Sequence, residues 1–310
     1  MIGVQKINLI ENNTNVELFY VDENGDEIWS MEYLASGRDL LTGAIFTSET
    51  TVMVYGSTNS ADGVFAGKNQ SSGYDGFVLP INTSEGQPED SYTYDYQEAD
   101  NGIKKIYRTD DSPNLLFVGE AKNTAGVQKI WLMRVYKYQP TIKSQALMFE
   151  DDEVHYVFGG LRRIGPNEYV MTATKKTLDR EQVAFYKFTS DASTEEMNVE
   201  FLENYDVNKL IPGDSRERII GLSNFKDGIS ILAGVKAEND VLTQNKFFLI
   251  NKETFEVREQ TYQYKPGVIY NHLSKRGAPV SYGLTGYVPS DDPDSGDRVA
   301  GGRACWVEGL

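Results

Sequence analysis

The chain has 310 residues, and its 30 lysines and arginines against 46 aspartates and glutamates give a formal net charge of −16. This negative charge argues against a nucleic-acid partner, because phosphates would be repelled. No apolar run reaches the ~18–20 residues that a membrane-spanning helix needs, so we expect no membrane insertion. Because Cys305 is the only cysteine, an internal disulfide and a cysteine-based metal cage are excluded.

Short apolar and aromatic segments recur along the chain, and they predict β-strands. The most regular are aromatic strands that repeat about every 58 residues, slightly above the ~40–50 of common propeller blades. Each has a partner strand upstream, and most have a further strand on either side, separated by turns rich in Gly, Pro, Asp and Asn. The repeat is therefore a unit of four strands, called A, B, C and D in chain order. The aromatic C strands are anchored at Leu18, Phe77, Trp131, Phe185, Phe247 and Trp306.

The head, 1–37, supplies strands B, C and D, and the tail, 268–310, supplies A, B and C. One small sheet cannot bury both faces, whereas a ring of twisted sheets buries each face against a neighbour. The sequence thus predicts an all-β fold, a single β-propeller domain over 1–310 with four-stranded antiparallel blades. Six blades are favoured, with two incomplete ones at the seam, and the alternatives are five blades with overlapping ends or a piece of a longer array. The complete units are 38–96, 101–149, 154–205 and 216–264.

The sequence does not predict a helix. No amphipathic pattern of ten or more residues stands out, and the nearest approach is segment 191–205. That segment fits a turn followed by a D strand equally well.

Segment 52–86 resembles a repeat of bacterial secreted and surface β-propellers, in which glycine-rich stretches precede an aromatic strand and an Asp-Gly hairpin. Segment 284–307 is a second copy and segment 117–135 a shortened third. The resemblance implies an extracellular propeller without catalysis, and it supplies no catalytic residues. The matching pieces of the first copy are Gly56-Ser57-Thr58, Asp62-Gly63, Gly67, Gly73-Tyr74-Asp75-Gly76-Phe77 and Glu85-Gly86.

Chain direction alternates along A, B, C and D, so D-to-A and B-to-C connections are expected on one face and the hairpins on the other. The longest B-to-C loops are 57–74 and 288–303, and long loops on a rigid scaffold commonly carry binding residues. The D-to-A loops bring charges of both signs to the same face, which suits a glycan or a protein ligand. The candidate ligand-binding residues are Arg38, Asp39, Asp100, Asp152, Arg216 and Glu217.

Glycoside hydrolysis is an alternative function, because it requires two carboxyl groups ~5–10 Å apart. The available acids are Asp39, Asp100, Asp152 and Glu217. Their local sequences do not mark an acid of raised pKa, so we expect no enzyme and no catalytic residue. His155 alternates with apolar neighbours in an A strand and is interpreted as a packed strand residue.

Calcium is the one cofactor that the sequence suggests. Segment 22–26 has oxygen ligands at alternate positions, but Asn24-Gly25 is typical of a hairpin turn, and the twelfth position holds Tyr33 instead of Glu. Segment 291–297 is the better candidate, because its crowded carboxylates repel one another unless a cation screens them. Its ligands would be Asp291, Asp292, Asp294 and Asp297.

The sequence therefore favours a non-catalytic binding or structural module at a bacterial cell surface. The first fifteen residues lack the pattern of a signal peptide. Three interpretations remain open on that point: a chain that stays in the cell, one whose signal has been removed, or a component of a larger exported particle. A phage virion protein, associated with the tail or capsid, is accordingly the second interpretation.

Overall fold

The computed structural model describes most of the chain. The calcium candidate segment 291–297 lies outside the described residues. The described residues are 2–8, 13–22, 24–33, 35–68, 73–109, 114–148, 153–177, 181–190, 197–201, 216–225, 228–236, 242–251, 254, 257–260, 269–276, 281–287 and 305–308.

The chain divides into two compact units, and the first comprises Met1–Glu153 with Ala192–Met197. It contains sheet I (β1–β3), sheet II (β4–β7) and sheet III (β8–β11), each antiparallel with its strands in chain order. The strands are β1 Ile2–Asn8, β2 Asn13–Val21, β3 Glu27–Tyr33, β4 Asp39–Phe46, β5 Thr51–Thr58, β6 Asp75–Asn82, β7 Tyr92–Tyr94, β8 Asn101–Arg108, β9 Asn114–Lys122, β10 Gln128–Tyr136 and β11 Ile142–Leu147.

The second unit comprises Val154–Asp191 with Asn198–Leu310. It contains sheet IV (β12–β15), sheet V (β16–β19) and sheet VI (β20–β22), again with strands in chain order. The strands are β12 His155–Gly165, β13 Glu168–Lys176, β14 Glu181–Ser190, β15 Met197–Phe201, β16 Arg216–Phe225, β17 Gly228–Lys236, β18 Leu242–Asn251, β19 Val257–Gln260, β20 Ile269–Arg276, β21 Ser281–Tyr287 and β22 Cys305–Glu308.

This architecture confirms the predicted fold class, an all-β propeller of four-stranded antiparallel sheets. Sheets I and VI have three strands each in the described residues, corresponding to the predicted B, C and D of the head and A, B and C of the tail. The ambiguous segment 191–205 contributes strand β15. A single turn of 3₁₀ helix, Gly63–Phe65, is the only helix in the described part of the chain. No described helix has the length and apolar character needed to cross a lipid bilayer.

The core of the first unit lies between successive sheets. The central strands β5, β9 and β10 are buried along almost their whole length, at successive residues and not only at alternate ones. Each fully buried large aliphatic side chain contributes roughly 1.5–3 kcal/mol to folding. One cluster joins sheets II and III through Met53, Tyr55, Val78, Ile103, Phe117, Trp131 and Met133, and a second joins sheets I and II through Val16, Leu18, Tyr33, Val52, Val54 and Phe77.

Five of the described sheets, II to VI, contain an A strand, and a β-bulge interrupts the A strand in each of them. One extra residue interrupts the register between A and B, and the B-strand residue opposite the start of each bulge is glycine or alanine. A bulge bends its strand and increases the local twist. At Gly56, a side chain would collide with the carbonyl oxygen of Leu40, so a bulky residue is excluded there. The small residues are Gly56, Gly119, Ala173, Ala233 and Gly286.

Candidate functional site

The connection into strand β4 is bonded to the B-to-C loop of its own sheet. The backbone N–H of Asn59 donates to the carbonyl of Arg38 at 3.3 Å, and the N–H of Arg38 donates to Oδ1 of Asn59 at 2.6 Å. Asp39 then turns inward and is 1% exposed. Its Oδ1 accepts hydrogen bonds from Thr58 Oγ1 at 2.6 Å and from Ser60 Oγ at 2.9 Å. Asp39 thus holds the loop together, while Arg38 is exposed.

Burial dominates the electrostatics of Asp39. Loss of hydration raises the pKa of this carboxyl group, and the hydroxyls of Thr58 and Ser60 only partly offset that effect. The negative charge of Asp62 raises the pKa further. Asp39 was predicted as a ligand-binding residue, and the structure places it beneath the loop surface.

The connection into strand β8 repeats this arrangement one sheet further along. The N–H of Lys122 donates to the carbonyl of Asp100 at 3.3 Å, as that of Asn59 does to Arg38. Lys122 Nζ also lies 2.5 Å from Asp100 Oδ2, and Tyr74 donates its N–H to Asp100 Oδ1 at 3.1 Å. Asp100 therefore links its own loop to the B-to-C loops of sheets II and III.

Asp100 remains about half exposed, and it stays ionised. The hydrogen bond from Lys122 is the main cause that lowers the pKa of Asp100, with a smaller contribution from the Tyr74 backbone. Because the side chains of both Lys122 and Asp100 are more than 40% exposed, solvent screens the pair and it adds little to stability.

An open, polar cavity of about 420 Å³ lies where these loops meet, and we call it the loop pocket. The residues of its walls provide hydrogen-bond donors and acceptors, and none of them is aromatic. The D-to-A loop supplies Gln97, Glu98, Ala99 and Asp100, and the B-to-C loops supply Gly73, Lys122, Asn123, Thr124 and Gly126.

The backbone of the loop pocket contains two unusual residues. Gln97 and Glu98 have φ of 55° and 57°, in the left-handed region that non-glycine residues seldom adopt. Such residues cost about 1 kcal/mol or more each, and they are concentrated at binding sites. The N–H of Glu98 donates to Oδ2 of Asp95 at 3.3 Å, which helps to fix the turn. Burial raises the pKa of Asp95, and the charge of Glu98 adds to that shift.

The long B-to-C loop of sheet II is a packed structural element over its described part, 57–68 and 73–74. Phe65 is 2% exposed, and its ring meets that of Phe77 edge to face at 5.1 Å. Asp62 Oδ1 accepts the N–H of Ser36 at 2.7 Å. The Asp62-Gly63 pair of the repeat thus anchors the loop onto the neighbouring connection.

The remaining predicted site residues are described only in part or not at all. Arg216 and Glu217 begin strand β16, and their side chains lie outside the described part. Asp152 and the calcium candidates Asp291, Asp292, Asp294 and Asp297 also lie outside the described residues. Within the described residues, no cluster of three or more His, Cys, Asp or Glu side chains is arranged to hold a metal ion.

Segment 22–26 is the hairpin turn that the sequence favoured. Oδ1 of Asp22 accepts the N–H groups of Asn24 at 2.8 Å and of Asp26 at 2.9 Å. These bonds close the turn with Gly25 at a φ of 91°.

Several pocket residues were not predicted, namely Gln97, Glu98, Lys122 and Thr124. The sequence did place D-to-A and B-to-C connections on one face, and of the pocket residues it singled out Asp100 for ligand binding. The convergence of these connections depends on the packing of sheet II against sheet III, for which a single sequence has no local signal.

Comparison with known proteins bears on the fold. No protein-family model matches this chain, and no characterised protein matches it by sequence. The uncomplexed acylaminoacyl peptidase of Pyrococcus horikoshii is similar over 92% of this chain and 40% of its own, with 11% identity and a TM-score of 0.50. At this identity the likeness shows the fold alone, and the chain spans well under half of that peptidase.

Two further structures are similar with lower scores. The β-propeller domain of the Trilobed protease from Pyrococcus furiosus, which has an open velcro topology, covers 92% of this chain and 73% of its own with 10% identity and a TM-score of 0.47. The Dos1 propeller covers 86% of this chain and 56% of its own with 12% identity and a TM-score of 0.41.

Proposed function

We propose that this chain is a non-catalytic binding module of a bacterial surface and that it recognises a glycan or protein ligand through the loop pocket. The observation that carries the proposal is the convergence of three connections on one cavity of about 420 Å³. Ligand sites in rigid folds are commonly concave and formed by loops. The surface location is supported by the repeat resemblance of segment 52–86.

The chemistry of the loop pocket suits a polar, uncharged ligand. Lys122 and the amide of Asn123 donate hydrogen bonds, whereas Asp100 and Glu98 accept them. Asp100 and Lys122 pair with each other, and Glu98 leaves the pocket with one net negative charge, which disfavours an anionic ligand. Hydroxyl or amide groups of a ligand can therefore bind without displacing an ion.

The absence of catalysis is part of the proposal. Asp39 is enclosed by Thr58 and Ser60, and Asp100 is engaged by Lys122 and Tyr74. Each carboxyl group thus has a role in holding its own loop. A screen of glycoside substrates should give no hydrolysis, and hydrolysis that disappears in Asp39→Asn or Asp100→Asn would contradict this part.

Binding is tested by applying labelled protein to arrays of bacterial and host glycans and to a surface-displayed peptide library. The ligand recovered with the wild type should bind Lys122→Ala about tenfold more weakly, since a charge-assisted hydrogen bond is lost. Lys104→Ala is the matched control, because Lys104 lies in the same sheet, is also 43% exposed and pairs with Glu120 at 3.2 Å. Equal loss in both variants, or none in either, would overturn the assignment to the loop pocket.

A further inference from the structure

A second cleft, of about 150 Å³, lies among the hairpins at the opposite ends of the strands from the loop pocket. We call it the hairpin cleft. It is formed by the A-to-B hairpin after β4, the C-to-D connection after β6 and the C-to-D hairpin after β10. All three belong to the first unit. We propose that this cleft binds one sugar ring of an uncharged saccharide.

The apolar wall of the cleft is aromatic. Tyr138 is 64% exposed, the highest value among the large hydrophobic residues described. Its ring is supported edge to face by Tyr136 at 5.7 Å. Tyr92 lines the same cleft and is half-buried. Exposed tyrosine faces of this kind match the apolar C–H face of a pyranose, while the phenolic groups remain in water.

The rest of the cleft supplies hydrogen-bonding groups. Glu89 accepts a hydrogen bond from Thr51 Oγ1 at 3.2 Å, and a carboxylate has further acceptor positions for ligand hydroxyls. Hydrogen bonds from hydroxyls to a carboxylate are roughly twice as strong as neutral ones. Ser48 and Thr47 line the cleft nearby and offer hydroxyls that both donate and accept. An apolar ring face bordered by such groups complements the two sides of a sugar.

The cleft is held in place by its backbone. The N–H of Thr83 donates to the carbonyl of Thr50 at 2.9 Å, and that of Glu89 donates to Pro80 at 2.9 Å. Tyr94 donates its hydroxyl to the carbonyl of Pro140 at 2.7 Å. The first two bonds join connections within sheet II, and the third joins sheet II to the C-to-D hairpin of sheet III, so the aromatic wall and the acceptors keep a fixed spacing.

The charged side chains around the cleft disfavour charged ligands, which aromatic clefts can also bind. Lys137 Nζ already lies 4.7 Å from the centroid of Tyr138, and Lys68 lies 6.0 Å from that of Tyr92. Lys68 also pairs with Asp90 at 3.2 Å. A cationic ligand would compete with these ammonium groups for the rings, and an anionic one would face Glu89, Asp90 and a chain of net charge −16. An uncharged, hydroxyl-bearing ring adds no charge to the cleft, and it would lie against the face of Tyr138 that Lys137 does not cover.

The test uses saturation-transfer NMR on the full chain with methyl glycosides of glucose, galactose, mannose and N-acetylglucosamine. At least one should receive saturation at its ring C–H protons, because those protons face Tyr138. Tyr138→Ala should raise the dissociation constant about tenfold, whereas Tyr138→Phe should retain binding. Glu89→Gln should weaken binding severalfold. Ile28→Ala, a truncation of another exposed apolar residue, is the control and should bind as the wild type does.

Each other outcome overturns the proposal. These outcomes are no saturation of any glycoside by the wild type, unchanged binding in Tyr138→Ala, or preference of the cleft for a lysine-containing peptide over all four glycosides. A glycoside whose binding falls in Lys122→Ala but not in Tyr138→Ala would belong to the loop pocket, which would support the proposed function and reject this second site. Circular dichroism of each variant establishes that the fold is retained.

Discussion

Asp100 and Lys122 form an ion pair with 2.5 Å between Oδ2 and Nζ, and it joins the loop entering β8 to the end of β9. Lys122 lowers the pKa of Asp100, so removing the ammonium group should raise it. We expect the NMR titration midpoint of the Asp100 carboxyl carbon to rise in Lys122→Met and to stay low in Lys104→Met. An unchanged midpoint in Lys122→Met would contradict the geometry.

The lowered pKa of Asp100 also determines how the stability of the protein changes with pH. The folded-state pKa of Asp100 lies below the unfolded one, so its contribution is complete above the unfolded pKa. That contribution is lost as the pH falls through the folded value. The effect should be small, because both side chains are well exposed to solvent.

Asp39 should behave in the opposite way. Burial raises its folded-state pKa, so its ionisation destabilises the protein as the pH rises through that folded value, and stability is greatest below the unfolded pKa. Asp39→Asn keeps an acceptor for Thr58 and Ser60 and should remove this pH dependence. Asp39→Ala should lower the free energy of unfolding by about 3 kcal/mol, because two buried hydroxyls lose their acceptor. Urea denaturation between pH 4 and 8 measures both effects; equal stability of the two variants would refute the role of Asp39 as acceptor.

Gly56 should not tolerate a side chain. A Cβ there would meet the backbone carbonyl of Leu40, and backbone cannot move aside as a flexible side chain can. We expect Gly56→Ala to lower the free energy of unfolding by about 3 kcal/mol or to prevent folding. Gly76→Ala is the control, because its Cβ would meet the end of the Ile103 side chain at 3.0 Å, and it should cost much less. Thermal denaturation distinguishes them, and similar losses would argue against the bulge geometry.

Tyr94 should connect sheets II and III through its hydroxyl. It donates to the carbonyl of Pro140 at 2.7 Å in a buried position, so Tyr94→Phe leaves that acceptor without its donor and should cost about 1–2 kcal/mol. Tyr92→Phe, in the same strand but half-buried, should change the free energy of unfolding by less than about 0.5 kcal/mol. Guanidinium titrations of both variants provide the comparison; a Tyr94→Phe variant as stable as the wild type would show that the bond contributes nothing.

The fold was predictable because its signals are local. Turn residues such as Asn24-Gly25 and Pro166-Asn167 separate strands whose aromatic content repeats at a regular interval. The bulges were not predicted, since the extra residue in strand A differs from sheet to sheet. The small residues opposite them, such as Gly56 and Ala173, become informative only when strands A and B are aligned.

The candidate site was less predictable, because exposure depends on residues distant in sequence. Asp39 is buried by Thr58 and Ser60, whereas Asp100, at the equivalent connection, remains open to solvent. His155 was expected to be packed and is exposed in strand β12. Asp39 and Asp100 were expected in connections between sheets and His155 in a strand, but which of their sides neighbouring elements cover could not be read from one chain.

The recurring bulge also bears on how neighbouring sheets fit together. Each bulged A strand is an edge of its sheet, and within a unit it lies beside the A strand of the next sheet, as β4 does beside β8 and β16 beside β20. A bulge bends its strand and increases the local twist. Because the irregularity recurs at a similar point of each A strand, every sheet presents a similarly bent edge to its neighbour, and a substitution that straightened one edge would disturb the fit of two sheets.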